Sequence, residues 1–315
     1  MSYTTKTAVL VVPFSRADCY ERTLRAIREA RPPRLYLAMD APRPHVAGEA
    51  ERVAATRAVT ARVVDWPCEV RTLVAEKNLG PNPRVASAVD WIFSHEERAI
   101  IFDDDCVAHP TFFQFCDELL EKYADDERVG MISGNQFVPG GWPGADGASY
   151  AFARLGQIWG WATWRRAWRN YDYDMQAWPA ARRSDFLSRI FPRRRDQVYW
   201  RKNFDDIRDP GCWDYRWCFA RWLHRQVAVV PAVNLSQNIG FRPDATHTTQ
   251  LDHPAANVPL VALEFPLRHP ARVALDEALD AETTRLIFST GTIAHRLGCH
   301  WRRNLGRARK FLGLP

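Results

Sequence analysis

No apolar run in this 315-residue chain is long enough to cross a bilayer, so no membrane-spanning helix is expected. Paired cysteines are missing too. Seven stand at 19, 68, 106, 116, 212, 218 and 299, an odd number with no Cys-x-x-Cys among them. That argues against a disulfide framework and fits a reducing compartment. Cys106 and His109 have the spacing of half a zinc site, but a structural zinc wants four such ligands and no second half exists. There is no internal repeat and no low-complexity linker. The glycine-rich loop VPGGWPGADGAS is not followed by Gly-Lys-Ser/Thr, so it is not a P-loop. The opening MSYTTKTAVLVVPF has only Lys6 ahead of its apolar residues and no small-residue cleavage site behind them. It is expected to be the first strand of a fold rather than a signal peptide.

What is present suits a globular chain with a real core. Hydrophobic residues make up 46%, aromatic 12% and charged 25%, enough for one large domain or two small ones and unlike a disordered or collagen-like chain. The 43 Lys+Arg exceed the 37 Asp+Glu by six. Residues 291–315 hold six bases (Arg296, Arg302, Arg303, Arg307, Arg309, Lys310) and no acid, which leaves the preceding 290 residues neutral. A nucleic-acid-binding body should carry a basic face of its own, so nucleic acid is not expected as a partner.

Short continuous apolar runs alternate with helical periodicity. Strands are predicted at 8–14, 35–39, 69–75, 99–102 and 128–134, and helices at 18–30, 47–62, 82–95 and 111–123. This alternation predicts an α/β fold with a mostly parallel open sheet and helices on both faces. Ligands in such sheets bind beyond the carboxyl ends of the strands. Those ends carry Ser15–Arg16, Asp40, Glu76–Asn78 and Asp103–Asp105, so four polar clusters are expected along one edge. Three carboxylates in a row repel one another unless a cation is near. At the end of a buried strand, Asp103, Asp104 and Asp105 are read as a site for Mg²⁺ or Mn²⁺, hard ions that also take phosphate oxygens. The Arg-rich stretch 182–202 reads either as a solvated helical face or as a surface for an anionic substrate.

A strand running into Asp-x-Asp, with Asp40 after the second strand and Glu-Lys-Asn-Leu-Gly at 76–80, resembles the glycosyltransferases of the GT-A fold, over about residues 8–250. RLGQIWGWATWRRAW (154–168), CWDYRW (212–217), NIGF (238–241) and ATH (245–247) are similar to a bacterial branch near family 2 and the N-acetylglucosaminyltransferase I-like group. The resemblance implies a Rossmann-like GT-A domain over 1–250, with a donor half (1–134) and an acceptor half (135–250). It also implies a metal-dependent, inverting glycosyltransferase that moves a sugar from a nucleotide-diphosphate donor, UDP by default, to a glycan or glycolipid acceptor. Surface or capsular polysaccharide synthesis is the expected setting.

Residue by residue, it implies that Arg16 and Asp40 lie near the nucleotide and that Asn78 and Arg84 shape the donor pocket. Asp103 and Asp104 would serve the donor, Asp105 would ligate Mn²⁺ or Mg²⁺ directly, and His247 would complete the metal site. Asp214 would be the general base, although its neighbour is Trp213 where the family usually has a Glu-Asp pair; Asp172 and Asp174 are its rivals. Flanking aromatics should raise the pKa of Asp214 toward neutrality. Of the clustered tryptophans, Trp161 and Trp164 would line the acceptor site, since aromatic faces suit the C–H faces of sugars.

Residues 251–290 are expected to wrap the domain edge, with a helix near 276–288. In the tail, Ile293, Leu297, Trp301, Leu305, Ala308 and Leu312 share a helical stripe opposite the bases. This reads as a peripheral membrane element or as a terminal helix packed on the body, and a cytoplasmic enzyme at the inner membrane face is the expected location. Two other functions stay open. A sugar-phosphate nucleotidyltransferase has a related sheet, but would show a glycine-rich loop after strand 1, where this chain has Pro13-Phe14-Ser15-Arg16. A non-enzymatic glycan- or membrane-binding protein is the third.

Overall fold

The computed structural model describes residues 3–206, 212–242, 253–256 and 258–288. The elements run β1 (Ala8–Val12), α1 (Ala17–Ala30), β2 (Arg34–Met39), α2 (Glu49–Val63), β3 (Glu69–Val74), α3 (Pro81–Phe93), β4 (Arg98–Asp103), β5 (Cys106–Ala108), α4 (Pro110–Lys122) and β6 (Val129–Ser133). Then come β7 (Tyr150–Ala153), β8 (Trp161–Trp164), α5 (Arg165–Trp168), α6 (Trp178–Arg183), α7 (Phe186–Ile190), α8 (Arg194–Asp206), α9 (Trp213–Leu223), β9 (Val227–Pro231), β10 (Ser236–Asn238) and α10 (Glu277–Thr283).

Eight strands form one sheet in the order β3-β2-β1-β4-β8-β6-β9-β7. The first four are mutually parallel, as is β6 with β9; β8 runs antiparallel between β4 and β6, and β7 antiparallel to β9. This is the expected α/β fold with a mostly parallel open sheet. The apolar runs are continuous because both faces of the sheet are covered. Val9 and Val11 of β1 join one core with α1, α2 and α4, while Ala8 and Leu10 join the other with α3 and α9. The first strand stops at Val12, short of the expected Phe14, because Pro13 has no N–H to extend the ladder.

A third core lies in a helical layer of α6–α9, where Trp178, Phe186, Trp200, Phe204, Phe219 and Trp222 pack together. Residues 258–276 cross the surface, and Val261, Leu263 and Asp276 donate backbone hydrogen bonds to Asn234 O, Thr111 Oγ1 and Phe152 O. The expected helix at 276–288 is α10 followed by a wider turn over Thr284–Phe288. The tail 291–315 lies outside the described residues.

Candidate active site

Parallel pairing of β3, β2, β1 and β4 brings their carboxyl ends to one edge of the sheet, and with them the four polar clusters. Asp103 closes β4 opposite Val12 of β1. The two residues that follow point in different directions. Asp104 turns back on β1: its carboxylate accepts from the Phe14 N–H at 3.1 Å and from Arg16 Nη2 at 2.5 Å. Its carbonyl accepts from Thr23 Oγ1 at 3.0 Å. Asp105 turns toward β10, where Asn238 Nδ2 donates to its carboxylate at 3.2 Å and the Ile239 N–H to its carbonyl at 2.7 Å. Arg16 Nη2 also reaches the Asp105 carboxylate at 2.8 Å. Gly240 leaves room for this arrangement, since a Cβ there would collide with Asp105 Oδ2 and stand 2.8 Å from Arg16 Nη1.

One guanidinium therefore bridges two of the three adjacent carboxylates. Burial pushes the Asp103 carboxyl up to about 8, with the charges of Asp105, Asp104 and Asp214 adding to it. Asp104 is pushed up to about 6, burial outweighing the attraction of Arg16. A divalent cation would relieve this excess of negative charge. The carboxylates of Asp103 and Asp105 and the thiol of Cys106 lie within 4.8 Å of one another. Two carboxylate oxygens at that separation suit Mg²⁺ or Mn²⁺, hard ions that take oxygen ligands. His109, the other half of the zinc spacing, accepts the Thr111 N–H and caps α4.

Asp214 stands in the first turn of α9, whose start is held by the Trp213 N–H donating to Asn82 Oδ1 of α3 at 3.0 Å. Burial pushes its carboxyl up to about 6, against the pull of the Tyr215 and Asp214 N–H groups and of Arg216. Its charge acts on Asp103, so the base candidate and the acidic turn share one electrostatic site. The rival Asp172 is occupied by the N–H groups of Asp174 and Gln176, which shape a turn.

The surroundings of several other expected site residues are as follows. The Asp40 carboxylate, expected on the nucleotide, accepts the N–H groups of Ala41, Leu79 and Gly80, each at 3.0 Å. Asn78 Nδ2 donates to Ala41 O at 2.7 Å, and Arg84 Nη2 to Leu73 O at 2.7 Å. These three side chains lock the loops after β2 and β3 and shape the sheet edge from behind. Trp161 and Trp164, expected at the acceptor, are interior residues with 1% and 3% of their surface exposed. Trp161 stacks on Trp213 at 5.7 Å, and Trp164 Nε1 donates to Leu120 O. Trp159 is the partly open member of that cluster, at 5.5 Å from Phe241, next to Gly240. His247 lies outside the described residues.

Sequence reasoning missed Thr23, Phe14, Asn238 and Gly240. The run NIGF, quoted above only for its resemblance, holds two of them. Among the described residues, the constellation can hold a divalent cation beside a carboxylate with a pKa near neutrality.

A scan against protein-family models finds no match to this chain, and a search of curated proteins finds none. Solved structures similar to it include UDP-glucose pyrophosphorylase complexed with UDP-glucose, 8% identical, covering 52% of this chain and 78% of that one with a TM-score of 0.32. HddC from Yersinia pseudotuberculosis is 10% identical, covers 55% and 85%, and also scores 0.32. The inositol-1-phosphate CTP transferase from T. maritima is 10% identical, covers 52% and 74%, and scores 0.29. Scores this low decide nothing about family or activity.

Proposed function

We propose that the chain is a divalent-metal-dependent transferase acting on a nucleotide-diphosphate sugar, and specifically an inverting glycosyltransferase of the GT-A type. The observation that carries this reading is the acidic turn at the end of β4 within electrostatic reach of Asp214, a carboxylate with its pKa raised to about 6. Asp103 and Asp105 would hold Mn²⁺ or Mg²⁺, which when bound offsets the charge gathering on a departing diphosphate. Arg16 fixes the turn by bridging Asp104 and Asp105. Asp214 takes the proton of an acceptor hydroxyl. The freed oxygen attacks the anomeric carbon from the side opposite the diphosphate, the carbon–oxygen bond to the diphosphate breaks, and the configuration inverts. UDP-sugars are the default donors, and a glycan or glycolipid is the acceptor.

The second reading is a sugar-phosphate nucleotidyltransferase. Several of the structures just cited bear the names of such enzymes, which at scores this low carries no argument for this chain, and the absence of a glycine-rich loop after β1 counts against it. The leaving group separates the two. The protein is incubated with Mn²⁺ and either UDP-, GDP-, dTDP- or CMP-sugars or a nucleoside triphosphate with sugar 1-phosphates, and the melting temperature and released phosphates are measured. The first reading expects stabilisation by a nucleotide sugar and, with an acceptor, release of the nucleotide moiety without inorganic pyrophosphate. Pyrophosphate release from the triphosphate mixture would establish the second instead. No response to Mn²⁺ with any nucleotide would remove both.

A further inference from the structure

The positive charge of this chain is concentrated in two stretches. Residues 182–206 hold eight bases against four acids, and residues 291–315 hold six against none. Everywhere else acids outnumber bases, 33 to 29. In the fold, the first stretch is α7, α8 and their flanks. All eight of its bases are exposed. Three are tied to local acids: Arg182 to Asp205, Arg189 to Asp185 and Arg195 to Asp196. The inner side of α8 is anchored by Trp200 and Phe204 in the helical core. Its outer side presents Arg194, Arg195, Arg201 and Lys202 around Val198, one of the few large apolar residues the described fold exposes, at 58%. Between α6 and α8 lies a cavity of about 520 Å³ lined by Trp178, Pro179, Arg182, Arg183 and Asp205, of a size that admits a phosphorylated headgroup.

The described chain ends against the inner side of α8. Phe288, the last described residue, packs on α8 with its ring 5.2 Å from that of Trp200 and 6.0 Å from that of Tyr199. The 27 residues that follow carry all six tail bases and Trp301 and lie outside the described residues.

We infer that the outer face of α6–α8 is a docking surface for an anionic phospholipid membrane, with the bases of α8 reading the headgroups and Val198 entering the interface. Charge complementarity argues for this partner: basic clusters are drawn to anionic leaflets, and an exposed apolar side chain among bases suits the headgroup boundary. The inference does not depend on the catalytic reading.

The test is co-sedimentation of the full chain with phosphatidylcholine vesicles, with and without phosphatidylglycerol. The wild type is expected to bind only the anionic vesicles and to come off as salt rises. Arg193→Gln, Arg194→Gln, Arg201→Gln and Lys202→Gln, combined in one full-length variant, should weaken binding by about 600-fold, since each base near such a surface is worth about fivefold. The melting temperature should not change, because these side chains are exposed. Val198→Asp should weaken binding independently, and Arg25→Gln with Arg62→Gln, on α1 and α2, should leave it intact. Wild-type binding by the quadruple variant would overturn the inference, as would failure of the wild type to bind anionic vesicles. So would single-stranded RNA displacing the protein from vesicles at matched charge, which would make the face a general polyanion site.

Discussion

Replacing Asp214 with asparagine should move activity and stability in opposite directions. The side chain keeps its shape and can still accept from the N–H groups at the start of α9. What is lost is a base. At pH 7 a carboxyl with a pKa of about 6 is roughly nine-tenths ionised and ready to accept a proton; at pH 5 it is roughly one-tenth ionised. Wild-type turnover should therefore fall about ninefold from pH 7 to pH 5, and the variant should lose both that limb and about 10²–10⁴ of its rate.

Stability runs the other way. The folded pKa lies above the ordinary aspartate value of 3.8, so between pH 4 and pH 6 the folded state holds a proton that the unfolded chain has released. Stability from this group is thus highest below pH 4, falls as the pH rises to about 6, and stays low above it. Two raised units correspond to about 3 kcal/mol, which partial exposure of the side chain trims to about 1–2 kcal/mol. Asp214→Asn removes that penalty, so at pH 7 its melting temperature should rise by about 2–8 °C. Initial rates across pH 5–8 and thermal melts on the same preparations measure both quantities. A variant that keeps wild-type turnover, or one that is inactive and also melts lower, would show that the carboxylate is structural and the base lies elsewhere.

Four further substitutions test the rest of the site. Asp105→Asn should remove the thermal stabilisation that Mn²⁺ and a nucleoside diphosphate give the wild type, read by melting or by calorimetric titration; undiminished metal uptake would place the ion elsewhere. Arg16→Met leaves Asp104 and Asp105 without their shared cation and should cost about 3–5 kcal/mol in urea unfolding, partly restored by Mn²⁺; a cost under 1 kcal/mol would mean the turn does not depend on that guanidinium. Trp161→Ala should cost about 3–5 kcal/mol as a core cavity, whereas Trp159→Ala should leave the melting temperature nearly unchanged and raise the KM for acceptor. The reverse pattern would return Trp161 to the acceptor site.

The parallel half of the sheet was legible in the sequence for a simple reason. A strand buried on both faces must be apolar throughout, so AVLVV and AIIF announce themselves, and the polar residues that end them fall on one edge by topology alone. Of the second half only β6 was, from the run at 128–134; β7 and β8 are four residues each and lie among short helices with no sustained period. β8, WATW, occupies the middle of the sheet antiparallel to its neighbours. Read from sequence, its tryptophans looked suited to a sugar, and an indole that suits a sugar suits a core equally well; only burial separates the two.

The same limit governs the acidic turn. Asp103, Asp104 and Asp105 are chemically identical and adjacent, so composition assigns them one role. The fold gives them different ones through partners that are distant in sequence. The Phe14 N–H and Arg16, about 90 residues away, hold Asp104; Asn238, 133 residues away, holds Asp105. Asp40 shows the converse. A lone carboxylate after a strand reads as a ligand contact, yet three backbone N–H groups from its own and a neighbouring loop consume both its oxygens. A carboxylate at a strand end is free for chemistry only where the backbone leaves its oxygens unclaimed. Among the described residues of the parallel edge, Asp103 meets that condition best: its raised pKa traces to burial and neighbouring carboxylates, with Arg16 the main charge opposing it.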